Sequence, residues 1–137
     1  MNNPIIFPKA KIWLDDGILF WKILNDDIEF VLSDIPIQIY IEAMRKLTGD
    51  QACPLIIDAR DVKGTYSIEA AKLFANSPII KEVRLSEAFV TNSINSRLLI
   101  ASYVRIFDSQ TPFLIVDSLE EAITYSHEIK RANNASN

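Results

Sequence analysis

Apolar and polar positions alternate in short blocks along this chain, and the period of the alternation changes from block to block. In "KIWLDDGILFWKIL" two apolar runs flank Asp15-Asp16-Gly17, and Asp-Gly is the pair that accepts the positive φ angles of a tight hairpin turn. The pattern predicts antiparallel strands over about Lys11–Leu14 and Ile18–Leu24. After the polar break at Asn25–Asp27 comes a short extended piece near Ile28–Leu32, which either continues the strand or only bridges onward. In "SDIPIQIYIEAMRKLTGD", Ile35, Ile37, Ile39 and Ile41 alternate as in a strand, while Ile37, Tyr40, Ile41, Met44 and Leu47 keep helical spacing. The flanks decide for a helix over about Ile35–Thr48: Asp34 is a capping residue, Pro36 fits a first turn, and Gly49 suits the C-terminal cap.

From there the alternation is regular. A strand is predicted at Pro54–Asp58, a helix at Ile68–Asn76, and a short helical piece begins at Ser77-Pro78. Next come a strand at Glu87–Thr91, a helix at Ile94–Asp108 and a strand at Pro112–Val116. The last helix opens with "DSLE", Asp117 to Glu120, as a capping box, and is expected to fade by Arg131. The runs "LII" at Leu55 and "FLIV" at Phe113 are apolar on consecutive residues. Both faces of such strands must be covered, as in the centre of a parallel sheet with helical crossovers. The expected fold class is α/β: an N-terminal β-hairpin, a mixed, mostly parallel five-stranded sheet and about four helices. Residues 1–10 read as an N-terminal extension, 11–131 as one domain, and 132–137 as a disordered polar tail.

Composition narrows the partners. The chain has 137 residues, a net charge of −4, and fourteen Lys and Arg dispersed without a run. A phosphate-neutralising surface is therefore not expected, which argues against nucleic acid. No apolar stretch approaches the roughly 20 residues that span a bilayer, so membrane insertion is not expected either. "MNNPIIFPKAKIW" has no leading basic residues and too short an apolar run for a secretory signal, and a cytoplasmic location is expected. Cys53 is the only cysteine, which excludes an internal disulfide and a cysteine zinc cluster.

The order of elements, together with "IIDARDVKGTYSIEAAKLF", resembles the STAS domains of anti-sigma-factor antagonists. There a strand of the type "hhDhxxV", here Ile56, Ile57, Asp58, Ala59 and Val62, leads through a loop to a helix. "IWLDDGILF", "PLIIDARDVK" and "PFLIVDSLEEAITY" are similar to small stand-alone bacterial proteins with a STAS/CRAL-TRIO-like fold. The resemblance implies right-handed βα units after the hairpin and action by docking on a protein partner. Many STAS domains are switched by phosphorylation of a serine in a "DSSG" motif. The matching stretch here is Tyr66, Ser67, Ile68 and Glu69; Ile68 occupies the usual phosphoacceptor position, so the standard switch is not expected. Ser67 reads first as the N-cap of the following helix.

Other chemistry is thin. Asp58 ends a buried strand, and Arg60, Asp61 and Lys63 follow at the carboxyl edge where open α/β sheets place ligands. With Ser67 they form the candidate interaction and switch loop. A phospho-receiver would match Asp15-Asp16, Asp58 and Thr91, but "FLIVDS" lacks the required lysine. His127, the only histidine, has no nucleophile beside it, so no catalytic residue is assigned, and no metal or cofactor is expected. The helix "INSRLLIASYVRIF" is apolar almost all round: Ile94, Leu98 and Ala101 form one stripe, Leu99, Tyr103 and Ile106 a second, and Ile100, Val104 and Phe107 a third. Such a helix needs cover beyond its sheet-facing side. Leu99, Tyr103, Ile106 and Phe107, with Trp13 and Trp21 of the hairpin, are therefore the candidate apolar pocket or dimer surface. The leading expectation is a non-catalytic module acting through a homodimer or another protein partner. The alternative is a carrier of a small apolar or amphiphilic ligand.

Overall fold

A computed structural model describes residues 2–136. In chain order the elements are β1 (Asn2–Phe7), β2 (Ala10–Asp15), β3 (Ile18–Ile23), β4 (Val31–Leu32), α1 (Asp34–Thr48), β5 (Cys53–Asp58), β6 (Thr65–Tyr66), α2 (Ile68–Asn76), α3 (Pro78–Val83), β7 (Arg84–Val90), α4 (Ile94–Phe107), β8 (Phe113–Val116) and α5 (Leu119–Ser136). One six-stranded sheet has the order β1-β2-β3-β5-β7-β8, and β4 and β6 make a separate parallel pair. Within the large sheet β1–β2 and β2–β3 are antiparallel, whereas β3–β5, β5–β7 and β7–β8 are parallel. The α/β class and the mostly parallel mixed sheet are as expected, with one strand more in the main sheet and one helix more than the sequence indicated.

The hairpin forms where Asp-Gly predicted it: Asp16 and Gly17 take φ of +52° and +71°. The Lys130 ammonium of α5 donates to the Asp16 carbonyl at 2.8 Å and occupies the space that a Cβ on Gly17 would need. The backbone angle is what favours glycine there, since the flexible end of Lys130 can give way to a Cβ.

Alternation across β3 and β5 splits the interior in two. Leu19, Trp21, Leu55 and Ile57 face α1 to α4, and Ile18, Phe20 and Ile56 face α5 through Ala122. Every residue of β5 is buried, as expected for a strand covered on both faces, and each buried Leu or Ile contributes about 1.5–3 kcal/mol relative to exposure.

The structure corrects several expectations. The residues read as an N-terminal extension form β1, an edge strand whose Phe7 ring packs 5.1 Å from that of Tyr40; Met1 lies outside the described residues. Its one proline, Pro4, is tolerated on an edge strand, and the ladder shifts register between Asn2 and Ile5. β1 also occupies the outer edge of β2, so the hairpin has no unpaired edge to offer as an interface. β8 is not central: it is the opposite edge, with Phe113 45% exposed. The tail expected to be disordered continues α5 to Ser136, since each added helical residue gains an internal hydrogen bond; Asn137 lies outside the described residues. Ser33, not Asp34, holds the N-cap of α1, without a side-chain bond. Ser118, not Asp117, caps α5 by accepting from the Glu121 amide at 3.2 Å. No helix among the described residues is long and apolar enough to cross a membrane.

Candidate functional site

The bend after β5 is held by its own charges. Asp58, 5% exposed, accepts from Arg60 Nε at 2.9 Å, from an Arg60 guanidinium NH2 at 2.7 Å and from the Arg60 amide at 3.2 Å. Lys22 of the neighbouring β3 adds an ion pair at 3.3 Å. Burial works against the carboxylate, but the Arg60 hydrogen bonds and the Lys22 charge outweigh it and hold Asp58 below its ordinary value. The pair of Asp58 and Arg60 is a structural lock.

Beyond the lock the loop is stitched to two others. Asp61 (φ +62°) and Asn92 exchange two hydrogen bonds, from the Asp61 amide at 2.9 Å and from the Asn92 amide group at 2.8 Å. The Lys63 amide donates to the Asn25 carbonyl at 3.0 Å, and Asn25 Nδ2 donates back to the Lys63 carbonyl at 2.8 Å. Gly64 (φ +84°) sits directly against the Phe30 carbonyl, where a Cβ could not fit. The Thr65 and Ser67 amides then donate to Phe30 and Leu32, which is the β4–β6 ladder. The short piece after Asn25 therefore bridges; it does not extend β3.

These loops wall a cleft of about 690 Å³ at the carboxyl end of the parallel strands, the position favoured for ligands in open α/β sheets. Its rim carries Lys9, Asn25, Asp61 and Lys63, faced by Ser93, Asn95 and Ser96 of the first turn of α4. Below lies a nearly wholly apolar pit of about 120 Å³, walled by Trp21, Ile57, Phe74, Phe89, Ile100 and Tyr103 and roofed on the α2 side by Ala70 and Ala71. Trp21, Ile23, Leu32, Ala59, Tyr66 and Ile100 line both cleft and pit, so the two lie side by side against a shared wall. Trp21 Nε1 is buried without a hydrogen-bond partner, whereas the Tyr103 hydroxyl is beside the Arg84 and Glu87 side chains. The Tyr66 hydroxyl ties the loop to α4 by donating to the Leu99 carbonyl at 2.9 Å.

The predicted residues divide accordingly. Asp61, Lys63 and Leu99 stand at the cleft, and Trp21 and Tyr103 reach into the pit. Ser67 is the N-cap of α2, its Oγ accepting from the Ala70 amide at 3.0 Å, and does not line the cleft. Phe107 packs beside Tyr103 with ring centroids 6.1 Å apart, and Ile106 is exposed. Trp13 lies on the α5 side of the sheet, stacked on Phe20 at 5.0 Å, so it shares neither pocket nor surface with Trp21. Cys53 is buried, and burial pushes its thiol up; His127 pairs with exposed Asp16 at 3.5 Å. Among the described residues no group of three or more His, Cys, Asp or Glu side chains could hold a metal ion.

A buried charge cluster escaped the sequence reading. Arg84 lies 3.3 Å from Glu87 and 3.2 Å from Asp108, all three at most 8% exposed. Burial pushes Glu87 up to about 7, Arg84 pulls the other way, and neighbouring Asp108 adds to the rise. Burial, followed by Glu87, also pushes the Tyr103 hydroxyl up. Residues three apart on a strand point to opposite faces, so nothing in "RLSE" announced that Arg84 and Glu87 would meet. The register shift beside Arg84, between Cys53 and Pro54, marks the irregularity that lets them.

No curated protein matches the chain significantly. A family model described as "Domain of unknown function (DUF7793)" matches residues 12–130, from β2 through most of α5. The chain belongs to that family.

Proposed function

We propose that this protein is a non-catalytic binding module whose ligand, a small amphiphilic molecule, occupies the cleft at the carboxyl end of the sheet. The observation that carries this reading is a polar-rimmed cleft of about 690 Å³ that shares six wall residues with an adjacent apolar pit of about 120 Å³. Small-molecule sites are concave and mostly apolar, with a few placed polar groups, and the buried Trp21 Nε1 in the pit wall has no hydrogen-bond partner. The bend after Asp58 supplies the wall; its charges are spent on holding its shape. Native mass spectrometry of protein purified from its own cells tests the reading. A bound small molecule, lost from a variant with a filled pit, supports it. A bare chain that also fails to bind an apolar fluorescent probe refutes it.

A second reading, association of two copies, is favoured by one observation. Leu98 is 61% exposed on α4, with Ile94 and Ile106 exposed on the same helix, and Phe113 and Leu114 are exposed on the free edge strand β8. Sedimentation velocity decides it: a dimer that Leu98→Lys converts to monomer supports association, and a monomer at all concentrations removes it.

A further inference from the structure

We propose that the ligand of this cleft is an anionic amphiphile, a carboxylate or similar acid whose head meets Lys9, Lys63 and the first turn of α4 while its ring or short alkyl body fills the pit. The inference rests on the cleft being a ligand site and adds the charge and shape of what it takes.

Three sources of positive potential converge on the rim of a chain whose net charge is −4. Lys9 is half-buried, 2.9 Å from the Asn25 side-chain oxygen and 4.6 Å from the Phe30 ring centroid. Lys63 is exposed, and its backbone bonds the same Asn25 that Lys9 meets. Neither forms an ion pair among the described residues. The third source is α4, a helix of 14 residues whose first turn lines the cleft through Ser93, Asn95 and Ser96. The Ser93 hydroxyl takes up only the Ser96 amide, at 3.1 Å, so the helix still presents free amides and the positive end of its dipole. Among the described residues that line the cleft Asp61 is the one carboxylate, and it already accepts from Asn92; the exposed Asp26, Asp27 and Glu29 stand in the adjoining segment outside that lining. Within the lining itself, two ammonium groups and a helix terminus against one engaged carboxylate favour an anion.

The pit sets the other end. An engineered apolar cavity of about 150 Å³ accepts benzene, so 120 Å³ suits one ring or a short alkyl segment. Aromatic walls from Trp21, Phe74, Phe89 and Tyr103 match such a body. A phospholipid with two long chains would outgrow the pit.

The test displaces the neutral dye N-phenyl-1-naphthylamine from the full chain with three compounds of one shape: 4-phenylbutyrate, 4-phenylbutan-1-ol and 4-phenylbutylammonium. The expected result is that the carboxylate binds at least tenfold more tightly than the alcohol at low ionic strength and the ammonium binds weakest. That advantage shrinks at high salt and falls severalfold in Lys63→Gln, a surface change that leaves folding intact, and further in Lys9→Gln with Lys63→Gln. Ala71→Phe abolishes displacement. If the dye binds and the alcohol competes as well as the carboxylate, the anionic assignment is overturned while the cleft remains a ligand site. If neither the dye nor any of the three compounds binds, both fall.

Discussion

Glu87 and Asp58 are buried carboxylates with opposite consequences for stability. Glu87 is raised from 4.5 to about 7, so between those pH values the folded chain holds a proton that the unfolded chain has released. Its contribution is fully present below pH 4.5 and is lost as pH rises through 7, amounting to about 3 kcal/mol in all. Glu87→Gln should therefore unfold at a similar urea concentration to wild type at pH 5 but at a clearly higher one at pH 8. Equal midpoints at pH 8 would show that Arg84 neutralises Glu87 fully. Asp58 is lowered from 3.8; its stabilisation is present above that value and is lost as pH falls through the folded one. Asp58→Asn should accordingly remove part of the acid-side loss, read from urea midpoints between pH 5 and pH 2.5. The sequence showed Asp58 with Arg60 because the two are neighbours in the chain. It hid Glu87, since Asp108 reaches Arg84 only across the packing of α4 on the sheet.

At the scale of elements, periodicity located the helices and strands and was less informative about what covers them. β5 and β8 both read as uninterrupted apolar runs, but β5 is wholly buried and β8 is an edge. Sheet order is a long-range property that a local run of Phe, Leu, Ile and Val does not carry. α4 is apolar on three stripes, of which Ile100, Tyr103 and Val104 are buried and Leu98 is exposed. Ile100→Ala should cost about 2–4 kcal/mol in urea unfolding, whereas Leu98→Lys should stay within about 0.5 kcal/mol of wild type for the monomer. Comparable losses at both positions would mean that the outer stripe is covered after all. Gly64 marks the same limit in a loop. Its positive φ and its approach to the Phe30 carbonyl depend on a partner more than thirty residues away. Gly64→Ala should destabilise the chain by at least about 1 kcal/mol and weaken probe binding by distorting the cleft wall.

For the whole molecule, the asymmetry between the two faces of the sheet creates the cleft. α5 packs against β5, β7 and β8 on one face, while α1 to α4 share the other with the β4–β6 arch and leave a gap between α2 and α4 above Trp21. The gap exists because the inward side of α2 is Ala70, Ala71, Phe74 and Ala75, where larger side chains would fill it. "IEAAKLFAN" therefore carried a legible trace of the pit, small residues where a core helix ordinarily places large ones. The rim was legible only in part: Asp61 and Lys63 follow β5 in sequence, whereas Lys9, Asn25 and Asn92 arrive from three separate turns. An unfilled pit costs stability that a ring of matching size recovers, since its walls gain dispersion contacts. Ala71→Phe should thus leave the urea midpoint unchanged or raised, by up to about 1 kcal/mol, while abolishing probe binding. A large loss of stability, the usual result of overpacking a filled core, would mean that no such space exists in solution.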